Sequence, residues 1–136
     1  MAIVIDASVT MAWCFEDEAT SGAEAVLDRL ADEGVIVPVL WRLEVANVLL
    51  VAERRRRISE AQASRFVDVL SRLPVDVDPT PPDVAAVLDL ARRHALSSYD
   101  SAYLALAERL GLPLATIDVR LATAARAAGV PVLAAG

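Results

Sequence analysis

The chain has 136 residues, about the length of one domain, and its 56% hydrophobic content is enough to build a substantial core. All 13 basic residues are arginine, which excludes mechanisms that need lysine, among them P-loop phosphate binding and Schiff-base catalysis. The formal net charge of −6 argues against binding nucleic acid through bulk positive charge.

The cysteine count and the hydropathy pattern indicate the cellular compartment in which the protein is expected. The one cysteine, Cys14, excludes an internal disulfide and suits a reducing environment. No apolar run reaches the ~18 residues of a membrane span, and the N-terminus lacks the pattern of a signal peptide. We therefore expect a cytoplasmic protein, with no membrane partner, that forms a single domain over residues 1–136.

Hydrophobic periodicity predicts strands that alternate with helices along the chain. The predicted strands cover residues 2–6, 35–37, 75–77, 113–117 and 130–133. The predicted helices cover residues 8–15, 17–32, 40–56, 59–72, about 80–94, 97–110 and 119–128. Ser8 and Ser59 are the predicted N-caps of two helices. The segment Thr80-Pro81-Pro82 predicts the start of a third helix, and Gly111 predicts the end of a fourth. This alternation predicts an α/β fold with a mostly parallel sheet between layers of helices.

Two predicted strands end on a carboxylate. Asp6 closes the apolar segment IVI, and Asp118 closes LATI. Ligands of parallel α/β sheets bind at the carboxyl ends of the strands, so both acids face the place where such a fold holds its site. Each acid also has a simpler interpretation as the cap of the helix that follows it.

Two further acids lie in apolar helices. Glu44 stands among leucines and valines in LWRLEVANVLLVA, with Asn47 one turn further on the same face. Asp100 lies in the first turn of the helix that contains SSYDSAYLALA, where interaction with the helix dipole is the simpler interpretation. A lone glutamate on a largely buried helix is seldom tolerated without a partner, so Glu44 is the hardest to explain structurally.

Together the four acids predict a divalent cation. Carboxylates ~4–6 Å apart repel by roughly 3–4 kcal/mol per pair at an effective dielectric of 20, and a cation removes that cost. Oxygen ligands without a histidine or cysteine cluster favour Mg²⁺ or Mn²⁺. The hydroxyl residues Ser8, Ser101 and Thr116 accompany the acids, although helix capping explains the two serines equally well.

The motifs and their order closely resemble the PIN-domain ribonucleases, and more narrowly the VapC-type toxins of bacterial toxin–antitoxin pairs. The motifs are IVIDAS at 3–8, LEVANVL at 43–49, YDSAYLALA at 99–107, LATID at 114–118 and GVPVL at 129–133. The resemblance covers residues 6–133. It implies a three-layer α/β/α domain whose five-stranded, mostly parallel sheet has the strand order 3-2-1-4-5.

The resemblance also implies the site and its chemistry. The expected activity is Mg²⁺- or Mn²⁺-dependent hydrolysis of phosphodiester bonds in RNA, with a tRNA or another structured RNA as the expected target. The expected partners are a VapB-like antitoxin and a second copy of the chain in a homodimer. The expected catalytic residues are Asp6, Glu44, Asp100 and Asp118, with Asp6, Asp100 and Asp118 as metal ligands and Ser8, Thr116 and Asn47 as supporting polar residues.

Alternatives stay open at this point. A PIN nuclease of RNA processing outside any toxin–antitoxin pair has the same motifs, and a non-catalytic binding module has the same fold. A doubly wound phosphatase is disfavoured because it needs a second aspartate where Ser8 stands, and a lysine. His94 is interpreted as an ordinary residue at a helix end.

Two groups of residues allow more than one interpretation. The arginines at 54–57 suit a solvated helix end, a phosphate-binding edge or a protein interface. Trp13, Phe15 and Trp41 suit core packing better than an interface.

Overall fold

A computed structural model describes residues 2–134 and 136, so Met1 and Ala135 of the predicted domain lie outside the described residues. The five strands are β1 (Ile3–Ile5), β2 (Val35–Pro38), β3 (Val75–Asp78), β4 (Leu114–Thr116) and β5 (Val132–Ala134). They form one sheet in the order β3-β2-β1-β4-β5, and each neighbouring pair is parallel. The predicted α/β class and strand order are confirmed.

Seven α-helices connect these strands within the described residues. They are α1 (Ala7–Cys14), α2 (Ser21–Glu33), α3 (Leu40–Arg54), α4 (Glu60–Ser71), α5 (Val84–His94), α6 (Ser98–Leu110) and α7 (Val119–Ala127). Parallel strands are joined by right-handed crossovers, which place α1 to α4 on one face of this sheet and α5 to α7 on the other. Accordingly, α1 packs on α2 and α3, whereas α6 packs on α5 and α7.

Several element ends differ from the predicted ones because of local capping. Asp6, rather than Ser8, caps α1, and its Oδ1 accepts a hydrogen bond from the Val9 amide at 3.3 Å. The Asp83 side chain caps α5, so this helix begins at Val84 and not in the proline segment. Residues Glu16–Glu18 form a short 3₁₀ turn before α2, and β5 lies two residues later than predicted at its start.

Other predicted ends are confirmed. Ser59 caps α4 in a reciprocal pair of hydrogen bonds with Gln62. Ser97 caps α6, and Gly111 ends it in the left-handed conformation with φ of 66°. That φ is unfavourable for residues with a side chain, which explains a glycine there.

The core lies on both sides of the central strands. β1 and β4 are fully buried, as expected for a parallel sheet covered on two faces. Phe15 and Trp41 are buried in this core, and Trp13 is half-buried with its indole N–H bound to the Ala23 carbonyl, so core packing is the confirmed role of all three. In the described part of the chain, no helix is both long and apolar enough to cross a membrane.

Candidate active site

Asp6 is a buried carboxylate at the carboxyl end of β1. Its Oδ1 accepts hydrogen bonds from Ser8 Oγ at 2.6 Å and the Val9 amide at 3.3 Å, and its Oδ2 accepts one from Thr116 Oγ1 at 2.6 Å. Burial raises the pKa of Asp6, the three donors oppose that rise, and the nearby charge of Asp118 adds to it. Asp6 is therefore a buried carboxylate that accepts three hydrogen bonds, and these bonds stabilise its charged form.

The ends of β1 and β4 are joined by hydroxyl groups. Thr116 Oγ1 gives its proton to Asp6 and accepts from the Asp118 amide at 3.0 Å, while Ser8 Oγ gives its proton to Asp6 and accepts from the Ile117 amide at 3.1 Å. Both hydroxyl protons are thus committed to Asp6, and the 3.5 Å approach of Ser8 to Thr116 is a contact only. The structure places both predicted supporting hydroxyls against the first acid.

Asp118 has two roles at the start of α7. Its Oδ1 accepts from the amides of Arg120 at 2.8 Å and Leu121 at 3.3 Å, so it caps the helix. The charge of Asp118 also raises the pKa of Asp6 and of Asp100, so its carboxylate lies near both of these acids. The capping interpretation and the site interpretation hold together for Asp118, as they do for Asp6.

Glu44 reaches the site from α3, and its partner is a tyrosine. Tyr103 Oη, in α6, donates to Glu44 Oε1 at 2.5 Å. Burial raises the pKa of Glu44, the Tyr103 hydroxyl opposes this, and the charge of Asp6 adds to it. One turn earlier on α3, the buried Trp41 donates to Thr10 Oγ1 at 2.9 Å and so fixes α3 to α1. Sequence reasoning required a partner for Glu44 but missed Tyr103, although its position three residues after Asp100 was a usable signal.

Burial and the charges of the three other acids all raise the pKa of Asp100. It lies in the first turn of α6, where its amide donates to Ser97 Oγ at 3.0 Å. Burial raises the pKa of Asp100 to about 6, with further contributions from Asp118, Asp6 and Glu44 in that order. The structure therefore brings the four predicted acids within electrostatic reach of one another, at the point between β1 and β4 where the strand order reverses.

The donor set fits a hard divalent cation in its chemistry. Carboxyl groups that oppose one another's ionisation are the groups whose repulsion a cation relieves, and carboxylate oxygens are the ligands that Mg²⁺ and Mn²⁺ prefer. In the described residues, no group of three or more acidic, histidine or cysteine side chains is already placed to hold a metal ion. Asp6 Oδ2 accepts one hydrogen bond, from Thr116, and keeps the capacity to bind a metal ion.

An open groove of about 790 Å³ runs beside two of the acids. Asp100 and Asp118 lie on its wall, together with His94, Arg120 and Thr123. In the part of the chain that the structure describes, His94 Nε2 is buried without a hydrogen-bond partner, and no ion pair involves Arg120. His94 is at a helix end as predicted, but its place in this groove was missed because α5 and α7 come to line one groove only in the fold.

Three other groups are exposed or have partners of their own. Asn47 is exposed on α3, and the Ser101 hydroxyl donates to the Ser97 carbonyl at 2.8 Å within α6. Among the arginines at 54–57, Arg57 binds Asp17 at 2.6 Å and Glu18 at 3.0 Å and lies 3.8 Å over the Phe15 ring. Arg57 thus ties the end of α3 to the 3₁₀ turn.

Comparison with known proteins places this geometry in a family. Residues 3–127 match the PIN domain. Ribonuclease VapC12 of Mycobacterium tuberculosis is 36% identical over 120 residues, which cover 88% of this chain and 89% of the relative. The crystal structure of PAE2754 from Pyrobaculum aerophilum superposes with a TM-score of 0.74 at 26% identity, covering 98% of this chain and 90% of that one.

A chain from a Klebsiella pneumoniae toxin–antitoxin complex shares the fold, with a TM-score of 0.66 and 18% identity, covering 99% of this chain and 98% of that one. The family match spans nearly the whole chain, from before Asp6 to beyond Asp118, and thus includes all four acids. The chain belongs to the PIN domain family.

Proposed function

We propose that this protein is a metal-dependent endoribonuclease that hydrolyses phosphodiester bonds in RNA, and that it acts as the toxin of a VapBC-type toxin–antitoxin pair. The observation that carries the proposal is the convergence of Asp6, Glu44, Asp100 and Asp118 at the carboxyl edge between β1 and β4. Its similarity to a VapC ribonuclease supports RNA as the substrate. The proposed target is a tRNA or another structured RNA.

The proposed metal ligands are Asp6, Asp100 and Asp118. When bound, Mg²⁺ or Mn²⁺ supplies a water of lowered pKa and positive charge for the scissile phosphate. Ser8 and Thr116 favour the charged form of Asp6 and orient its carboxylate through the hydrogen bonds they donate to it. Glu44, held by Tyr103 through Oε1, has Oε2 available to accept a proton.

The groove beside the acids is the proposed binding site for RNA, although the protein as a whole is acidic. Arg120 supplies a cation on the groove wall, and His94 and Thr123 supply polar groups for the sugar–phosphate backbone. With a bound metal ion, these groups would reverse the local field of a chain whose net charge is −6.

A VapB-like antitoxin and a second copy of the chain are the proposed protein partners. α3 and α4 expose apolar side chains, among them Leu43 (74%), Leu50 (41%) and Val67 (51%), and apolar surface of this kind is typical of protein interfaces. Similarity to VapC12 and the fold shared with the Klebsiella chain support the antitoxin. A small neighbouring gene for a DNA-binding antitoxin would separate this function from RNA processing outside such a pair.

A non-catalytic binding module is the second candidate, and the acid site argues against it. Helix capping accounts for Asp6, but a module without catalysis has no need to bring Glu44 and Asp100 near it. Their mutual repulsion costs stability when no cation is bound.

The proposal is tested by cleavage of a structured-RNA pool that includes tRNA. The purified protein, free of any partner, is incubated with Mg²⁺ or Mn²⁺ or with a chelator, and compared with Asp100→Asn. The matched control is Asp89→Asn, which removes an exposed acid of α5. We expect cleavage that needs the metal, falls at least ~100-fold in Asp100→Asn and is unchanged in Asp89→Asn. Cleavage in chelator, or no cleavage by the folded protein, would contradict the proposed function.

A further inference from the structure

One side chain joins the two helical layers at the acid site. Tyr103 is 1% exposed, so its ring is a core residue, yet its hydroxyl donates to Glu44 Oε1 at 2.5 Å. α6, which carries Tyr103, and α3, which carries Glu44, lie on opposite faces of the sheet and both begin at its carboxyl edge. The hydrogen bond therefore spans the edge at which the acids meet.

The spacing along α6 connects Tyr103 to a second acid. Asp100 lies three residues before Tyr103, so the two side chains share one face of the helix. Asp100 presents its own carboxylate to the site, whereas Tyr103 holds the carboxylate that arrives from α3. A single helix, with its start fixed by Ser97, thus sets the positions of two of the four acids.

A tyrosine is chemically suited to this contact. Burial disfavours a charged Glu44, and a hydroxyl that donates to the carboxylate stabilises the charged form. Burial and the Glu44 contact raise the pKa of Tyr103, so its hydroxyl stays protonated and acts as a donor. Phenylalanine would fill the same space and leave Glu44 Oε1 without its partner.

We infer that Tyr103 is a positioning residue for Glu44, which it holds through Oε1 so that Oε2 is directed into the acid site. The inference rests on the proposed ribonuclease function. Tyr103 acts through Glu44 and touches neither the substrate nor the scissile bond. Removal of its hydroxyl should therefore slow turnover and leave RNA binding nearly intact.

The test is a double-mutant cycle of Tyr103→Phe and Glu44→Gln. The matched control is Tyr99→Phe, since Tyr99 lies on the same helix but is 62% exposed. We measure kcat and KM for RNA cleavage in Mn²⁺, with circular dichroism to establish that each variant is folded. Tyr103→Phe should lower kcat about 10- to 100-fold with less than about a threefold change in KM. In the Glu44→Gln background it should lower kcat less than about twofold further.

A spectroscopic readout separates this inference from the proposed function. The ultraviolet difference spectrum between the wild type and Glu44→Gln should show a shifted tyrosine band, and this band should vanish when both proteins carry Tyr103→Phe. A wild type that shows the band but cleaves no RNA would contradict the ribonuclease function and leave the positioning role standing. Equal loss of kcat in both backgrounds, or absence of the band, would overturn the positioning role.

Discussion

At Asp100, partial burial and three neighbouring acids act on one carboxyl group. The pKa of Asp100 rises from 3.8 to about 6. The folded protein therefore holds a proton on this group over a pH range where the unfolded chain has released it. Folding stability contributed by the protonated form is present below the lower value and is lost as pH rises through the higher one.

This gives a prediction for the metal-free protein. The free energy of unfolding should fall as pH rises from about 4 to about 7, and Asp100→Asn should remove part of that fall. The shift corresponds to at most about 3 kcal/mol, which solvent screening of a half-buried group reduces to roughly 1 kcal/mol. Urea unfolding of both proteins in chelator measures the difference. Parallel pH profiles for the two proteins would contradict the predicted repulsion.

The sequence identified the acids at the residue scale but not all of their partners. Asp6 and Asp118 are recognisable because each follows an apolar strand, and Glu44 because its surroundings are apolar. Tyr103 stands in the largely apolar segment AYLALA and its ring lies in the core. Its hydrogen bond depends on how α3 and α6 approach each other, and no local pattern encodes that approach.

At the scale of secondary-structure elements, β1 and β4 are neighbours whose carboxyl ends are joined through side chains. Thr116 Oγ1 is the central atom, because it donates to Asp6 and accepts from the amide of Asp118. This one hydroxyl both satisfies a buried acid and helps set the start of α7. Thr116 therefore helps to hold the ends of β1 and β4 and the start of α7 in place relative to one another.

Thr116→Val should destabilise the protein by about 1–3 kcal/mol at neutral pH, because Asp6 Oδ2 loses its donor while remaining buried. Thr116→Ser keeps the hydroxyl and is the control. The difference between Val and Ser should shrink at acid pH, where a protonated Asp6 depends less on a donor. Denaturant unfolding at both pH values measures this effect, and a Val variant as stable as the Ser variant at neutral pH would refute it.

The ends of the helices show which structural features the local sequence determines. Ser59, Ser97 and Gly111 act where their residue types predict, because capping depends on the nearest backbone groups. The prediction that Ser8 caps α1 was wrong because the Ser8 hydroxyl donates to Asp6, and Asp6 caps the helix. Capping by Asp6, the simpler interpretation of that acid, is the one the structure shows, and the same carboxylate also lies in the site.

At the scale of the whole molecule, the strand order β3-β2-β1-β4-β5 creates the place where the acids meet. The sequence predicted parallel strands from alternation, whereas the order itself came from resemblance to PIN domains. Long-range contacts determine the order, and the short strands carry little information on their neighbours. The same contacts bring His94 and Arg120 into the groove, which is why those two residues escaped prediction.

We propose that Asp6, Asp100 and Asp118 form a divalent-cation site with Glu44 beside it. The test is calorimetric titration of the folded protein with Mn²⁺, with Asp100→Asn as the variant and Asp89→Asn as the matched surface control. We predict that the wild type and Asp89→Asn bind Mn²⁺ alike and that Asp100→Asn binds it at least ~10-fold more weakly. Equal Mn²⁺ affinity in the wild type and Asp100→Asn would contradict the claim.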